Sequence, residues 1–317
     1  MILGRYIADG VVHVGARLDA AHVLELDGVL DPPLPAAEPD PMTTLIKQWA
    51  IASPRASALA ACAPEKLVRP LADVRLIAPL APPRMRNFSV YEGHVRGAFE
   101  AGVEVRAGKI VAGALRRTGI LRPPRHWYRR PAYYKGNHLS VIGPYDDVSA
   151  PAYTRQLDYE LELAVVIGAA GRDIEESDAP GHVFGYTLLD DLSARDVLVG
   201  ELFSGMGPAK GKDFDTGNVL GPWLATRDEV PDPRALTGEV RVNSRLRATC
   251  TTSDMRHGVP AMVAEASRGE SLAVGEVLGT GCCTGGSGLE QLRFLRRGDL
   301  VELTLGPFGT QRNRVVC

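Results

Sequence analysis

Leu157-Asp158-Tyr159-Glu160-Leu161-Glu162-Leu163-Ala164-Val165-Val166-Ile167-Gly168 decides how the rest of the chain is read. Side chains alternate across a β-strand, so residues two apart share a face. In that register Asp158, Glu160 and Glu162 line one face, and Leu157, Tyr159, Leu161 and Leu163 the other. Ala164 to Ile167 are wholly apolar, so the strand runs into a core. Acidic residues are poor strand formers, and like charges on one face repel. Solvent at a sheet edge would relieve that repulsion. A hard divalent cation would relieve it too, because Mg²⁺, Mn²⁺ and Ca²⁺ prefer carboxylate oxygen. The stretch by itself leaves both readings open.

A chain of 317 residues is long enough for one large or two modest domains. Its hydrophobic share of 45% and charged share of 23% are those of a water-soluble globular protein. A net charge of -2 gives no general attraction to nucleic acid or to an anionic membrane. No run approaches the apolar length of a membrane span. Met1 to Tyr6 lacks the charged-then-apolar pattern of a secretory signal. The five cysteines are an odd number without Cys-x-x-Cys spacing, which fits a reducing cytoplasm and no structural zinc. Cys282 and Cys283 sit in a Gly-rich loop and read as small residues of a tight turn.

Outward from the acidic strand, residues 1–74 are expected to form a small accessory domain and residues 75–317 a catalytic one. In the first, Asp9-Gly10 signals a hairpin, Ala20 to Leu30 a strand pair, Asp31 to Pro41 a proline-rich loop and Met42 to Ala61 a helix. His13 and His22 look isolated there. In the second, Arg86 to Tyr91 leads into a helix that carries His94. An imidazole titrates near neutral pH, which makes His94 the choice for a general base. The many arginines between Val95 and Lys135 suggest a solvated helix and a cover over a pocket. Val183 to Leu189 reads as a second strand that closes on Asp190-Asp191, either of which could cap the following helix. The loop Pro208 to Thr216 is basic and glycine-flexed but lacks P-loop spacing. Strands are expected over Leu220 to Thr226 and, as the final one, Gly298 to Leu305, a hairpin over Val240 to Leu246, and a helix over Met255 to Arg268. The loop Gly279 to Gly288 permits close backbone approach to a ligand, but no βαβ unit follows to make it a dinucleotide site. The fold class is α+β and β-rich.

Five motifs occur in order: Asn87-Phe88 with His94, Asp158-Tyr-Glu-Leu-Glu-Leu-Ala-Val-Val-Ile-Gly168, Asp191-x-Ser-Ala-Arg-Asp196, Gly211-Lys-Asp-Phe-Asp-Thr216, and Gly279-Thr-Gly-Cys282 with Leu289-Glu290. Together they resemble the fumarylacetoacetate hydrolase family over roughly residues 75 to 317. The resemblance implies a mixed β-sandwich roll, a homodimer, and a divalent cation, Mg²⁺ or else Mn²⁺ or Ca²⁺. It implies Glu160, Glu162 and Asp191 as metal carboxylates, with Asn87 where the first ligand is usually Asp. It implies His94 as general base, Glu290 as its orienting carboxylate, and Lys212 and Thr216 as residues for a second cation or substrate oxygens. Tyr134 and Thr280 fall on substrate-contacting positions.

The implied activity is metal-dependent hydrolysis of a C–C bond in a small oxo acid of the β-diketo or acylpyruvate type. His94 would take a proton from water. Lys212 and backbone amides of the Gly279 to Gly288 loop would stabilise negative charge. Decarboxylation, keto–enol isomerisation, hydration, or a repurposed cyclase or binding protein are the alternatives, because a fold does not set a reaction. Three departures from the family stand out. Asn87 removes one negative charge. Leu198 and Leu202 are apolar where polar residues hold substrate, which suggests a substrate other than fumarylacetoacetate. The Arg-rich segment 104–130 does not map onto the motifs.

Overall fold

The acidic strand is neither continuous nor at an edge. In a computed structural model that describes residues 1–29, 40–205 and 207–316, Leu157–Asp158 pairs with Ser193–Ala194. The chain then steps through Tyr159 and Glu160 into the strand Leu161–Ile167. That strand lies between Val183–Asp191 and Val277–Gly279, antiparallel to both, and all seven of its residues are buried. A solvated edge is therefore excluded. The apolar run Ala164 to Ile167 needs cover on both faces, and only a central strand offers it.

Among the described residues this strand belongs to a 13-stranded mixed sheet. Its order runs from Val68–Pro70 through His22–Glu25, Val11–Arg17, Ile2–Ala8, Leu224–Thr226, Val183–Asp191, Leu161–Ile167, Val277–Gly279 and Met85–Ser89 to Ala132–Gly136. A five-stranded sheet is built from Thr237–Val242, Arg245–Thr251, Leu300–Leu305, Thr310–Val316 and Val148–Ser149. Leu161, Leu163, Val165 and Leu188 pack in one core with Val240, Val242, Val301, Leu303 and Leu305 of the second sheet. Ala164, Val166, Phe184 and Leu189 point the other way. They share a second core with Leu3, Val14, Leu24, Met42 and Leu45. The alternation along Leu161–Ile167 thus divides the molecule into two apolar layers.

The hairpins follow local chemistry. Asp9 and Gly10 have φ of 51° and 77°, and Asn243 and Ser244 have φ of 52° and 62°. Positive φ at both turn positions matches the right-handed twist of the flanking strands. Some expectations need correction. Ala20 to Leu30 holds one strand, His22–Glu25, and the short turn Asp27–Val29 rather than a strand pair. The expected long helix is two, Pro41–Lys47 and Trp49–Cys62, which meet at Gln48. The proline-rich loop lies outside the described residues as far as residue 39. His13 and His22 are not isolated, since His13 Nδ1 lies 2.8 Å from Asp27 Oδ2 and His22 Nδ1 lies 3.0 Å from Asp19. Leu300–Leu305 is not the final strand. Thr310–Val316 follows it, with Gln311 and Asn313 facing inward. The Gln311 amide donates to the carbonyls of Leu188 and Val219, and the Asn313 amide to those of Gly143 and Asp146. Polar residues in buried positions hide the strand's period. Neither Asp190 nor Asp191 caps a helix, because Ala194 is the N-cap of Arg195–Ser204.

Candidate active site

The sheet brings the polar residues together at the ends of neighbouring strands. Asn87 on Met85–Ser89 lies beside Gly279 on one flank and Tyr134 on the other. Leu161 pairs with Asp190, so Glu160 and Glu162 stand next to the end of Val183–Asp191, where Asp191 sits. One carboxylate oxygen from each of Glu160, Glu162 and Asp191 lies within 4.8 Å of the others, and all three residues are buried. No side chain fits at position 279, where a Cβ would stand 2.5 Å from Asn87 Oδ1 and 2.8 Å from Glu162 Oε2. Glycine is what lets the two acidic elements close on each other.

Two buried basic side chains pair with the carboxylates. Lys212 Nζ donates to Glu160 Oε2 at 2.7 Å, Asp191 Oδ2 at 2.6 Å and the Asp191 carbonyl at 2.9 Å. Arg195 bridges Asp158 Oδ2 at 2.8 Å and Glu160 Oε1 at 2.6 Å. Asp158 also accepts the amides of Gly288 and Leu289, so it ties the Gly-rich loop to the strand. Asp190 accepts the Glu160 amide at 2.8 Å. Asp191 Oδ2 further accepts from Asn87 Nδ2 and Tyr134 Oη, each at 2.6 Å.

Five buried carboxylates thus face two buried basic side chains, and the imbalance is visible in their proton affinities. Burial, then Asp191 and Glu160, pushes the Glu162 carboxyl well above its usual range. Burial pushes Asp190 and Asp191 up as well. Glu160 is the exception. Burial would raise it, but Arg195 and Lys212 outweigh burial and hold it well below the carboxylate range. Asp191 Oδ1 and Asn87 Oδ1 are both buried without a hydrogen-bond partner. Excess negative charge and two orphaned oxygens beside three convergent carboxylates are what a divalent cation would satisfy. Glu160, Glu162, Asp191 and the Asn87 carbonyl oxygen therefore fit such an ion.

His94 stands in the first turn of the helix Glu92–Ala107. Its Nδ1 lies 2.9 Å from Glu290 Oε1, and its Nε2 faces Glu160 Oε1 at 3.5 Å. Burial lowers its proton affinity, but bonding to Glu160 and Glu290 more than offsets this and pushes the pKa up to about 9. Gly97, one helical turn on, allows the contact: a Cβ there would stand 2.9 Å from Glu290 Cγ. Of the other expected residues, Thr280 is buried and its hydroxyl donates to the Gly281 carbonyl. Thr216 takes part in a different contact, accepting the Ser149 amide at 2.9 Å. Leu198 is buried, and Leu202 is 56% exposed. Arg195 is a residue that the sequence left without a role. It was already present in the motif Asp191-x-Ser-Ala-Arg195, and a basic residue there is the signal that the acids need a partner.

Residues 105–316 match the family model described as fumarylacetoacetate (FAA) hydrolase, C-terminal. The chain is 33% identical over 246 residues to the oxaloacetate tautomerase YisK of Bacillus subtilis (strain 168), covering 77% of this chain and 74% of that protein. It is 36% identical over 189 residues to the mitochondrial oxaloacetate tautomerase FAHD2B of Homo sapiens. That match takes in 59% of this chain and 60% of the human protein's length. The fold also matches a maleylpyruvate hydrolase from Sphingobium sp. SYK-6, solved in complex with manganese(II) ion and pyruvate. The TM-score is 0.74 at 24% identity, over 100% of this chain and 99% of that one. Among the described residues no helix is long and apolar enough to cross a membrane.

Proposed function

The chain belongs to the fumarylacetoacetate hydrolase family, and from that membership we propose that it is a divalent-metal-dependent enzyme that interconverts the enol and keto forms of a small 2-oxo diacid of the oxaloacetate type. The observation that carries the reading is the buried trio Glu160, Glu162 and Asp191 with His94 held 3.5 Å from Glu160 by Glu290. The names borne by the relatives above 30% identity support the tautomerase sense. When bound, the cation supplies electrophilic polarisation of the substrate's 2-oxo oxygen. The remaining work belongs to side chains. Ketonisation moves one proton onto carbon 3 and removes one from the enol oxygen. We assign that transfer to His94, whose ring Glu290 fixes through Nδ1. Lys212 and Tyr134 hold Asp191 through Oδ2, and Arg195 holds Glu160. Thr280 and Thr216 are proposed substrate contacts. Mg²⁺ or Mn²⁺ as the ion, a homodimer and a cytoplasmic setting are parts of the same proposal.

A second reading is hydrolysis of a C–C bond in an acylpyruvate. The His94–Glu290 pair favours it, because an oriented imidazole can equally take a proton from water. One assay separates the two. Decay of the enol absorbance of freshly dissolved oxaloacetate should accelerate with enzyme and Mg²⁺, and return to the spontaneous rate with chelator or in His94→Ala. No acceleration in metal-loaded protein, together with release of two acids from an acylpyruvate, would sink the tautomerase reading and leave the hydrolase.

A further inference from the structure

We propose that His94, Glu160 and Cys282 form a second cation site, suited to a thiophilic divalent ion such as Zn²⁺ or Cd²⁺, whose occupation arrests the enzyme. One donor atom from each residue lies within 4.8 Å of the other two. This trio offers nitrogen, oxygen and sulfur, whereas Glu160, Glu162 and Asp191 offer oxygen alone. Magnesium and calcium favour the all-oxygen set, and zinc and cadmium favour the set with thiolate and imidazole.

The surroundings are those of a built metal site. His94 Nδ1 is engaged by Glu290 Oε1 at 2.9 Å, which leaves Nε2 toward Glu160. A carboxylate behind the far nitrogen is the usual support for a metal-bound histidine. Nε2 and Glu160 Oε1 are 3.5 Å apart, close to the roughly 3.3–3.8 Å that separates two ligands on a tetrahedral zinc. The Cys282 sulfur is bound only weakly, donating to the Cys283 carbonyl at 3.3 Å. Burial, then Glu160, Glu290 and Glu162, pushes the Cys282 thiol well above its usual range, so it keeps its proton until a cation displaces it. The His94 and Glu290 side chains are each 12% exposed, whereas Glu160 and Cys282 are buried. On binding, the Cys282 S–H bond and the His94 Nε2–H bond break, a metal–sulfur and a metal–nitrogen bond form, and both protons leave to buffer. Nothing is oxidised or reduced. The site shares Glu160 with the all-oxygen trio and with Arg195 and Lys212, and its effect on turnover rests on the role given to His94 above.

The test titrates Cd²⁺ into full-length protein held in excess Mg²⁺, following the ultraviolet sulfur-to-cadmium charge-transfer band. The expected result is a band saturating at one cadmium per chain, in the unaltered protein and in Cys62→Ser alike. Cys282→Ser should abolish it, and His94→Gln should keep the band but weaken cadmium binding at least about tenfold. If Cys282→Ser does not fold, the His94→Gln affinity decides. No band in the unaltered protein, a band surviving in Cys282→Ser, or unchanged affinity in His94→Gln would each overturn the site. A band that behaves as expected, without inhibition of enol decay by Zn²⁺, would keep the site and overturn the arrest, and with it the assignment of His94.

Discussion

At the residue scale, Asn87 is the position where this chain departs most from a set of acidic metal ligands. Its Nδ2 donates to Asp191 at 2.6 Å and to Glu162 at 3.3 Å. The amide thus quiets two carboxylates that repel each other when no cation is present. Asn87→Asp would remove both donors and add a charge. The metal-free protein should lose about 2–4 kcal/mol of stability, and excess Mg²⁺ should recover most of it. Thermal melts with chelator and with Mg²⁺ measure this, and an equal loss in both would refute it. Arg195 carries the opposite burden. Replacing it with Met leaves Asp158 buried without a cationic partner and Glu160 with Lys212 as its nearest one, at a cost of about 3–5 kcal/mol. Chemical denaturation should register that cost. A loss within error would mean that the two acids take up protons without penalty.

At the scale of elements, the reaction geometry depends on how the helix Glu92–Ala107 rests against the short turn Leu289–Gln291. The contact is made at Gly97, against Glu290. Gly97→Val would push the helix off that turn and separate His94 from Glu290. We expect at least about a tenfold loss in kcat, with the binding of Mg²⁺ unchanged, since none of Glu160, Glu162, Asp191 and Asn87 lies on the helix. Metal titration by calorimetry beside steady-state kinetics separates the two quantities, and a parallel fall in both would defeat the prediction. Elements with a clear period or turn were legible in the sequence: the hairpins at Asp9-Gly10 and Asn243-Ser244, and the strands that lead to Glu162 and Asp191. Thr310–Val316 was not, because Gln311 and Asn313 occupy inward positions that pattern assigns to apolar residues. The break at Tyr159-Glu160 was not legible either. Alternation continues through it, and only pairing with two different partners divides the strand.

At the scale of the whole molecule, residues 1–74 share a core with the sheet that carries the site. Leu3, Val14, Leu24, Met42 and Leu45 pack with Ala164, Val166, Phe184 and Leu189, and Ile2–Ala8 pairs with Leu224–Thr226. The division at residue 74 is a proposal about folding units that a deletion examines. A chain of residues 75–317 alone would expose the inner face of its central strands, and we expect it to aggregate rather than elute as a folded species on gel filtration. A monodisperse fragment that retains a cooperative melt would refute this and favour an independent catalytic unit. What the sequence by itself determined was the family and a set of candidate donors. The order of acids, histidine, lysine and glycines named the donors, because residue type and motif spacing are local properties. Only the tertiary structure decided their state. Burial on a central strand turned a possible solvated face into a charge-crowded interior, and the approach of distant segments assigned Arg195 and Lys212 to Glu160 and placed Cys282 beside His94. Those pairings join residues that are far apart along the chain, and proton affinity and cation affinity depend on such neighbours more than on residue type.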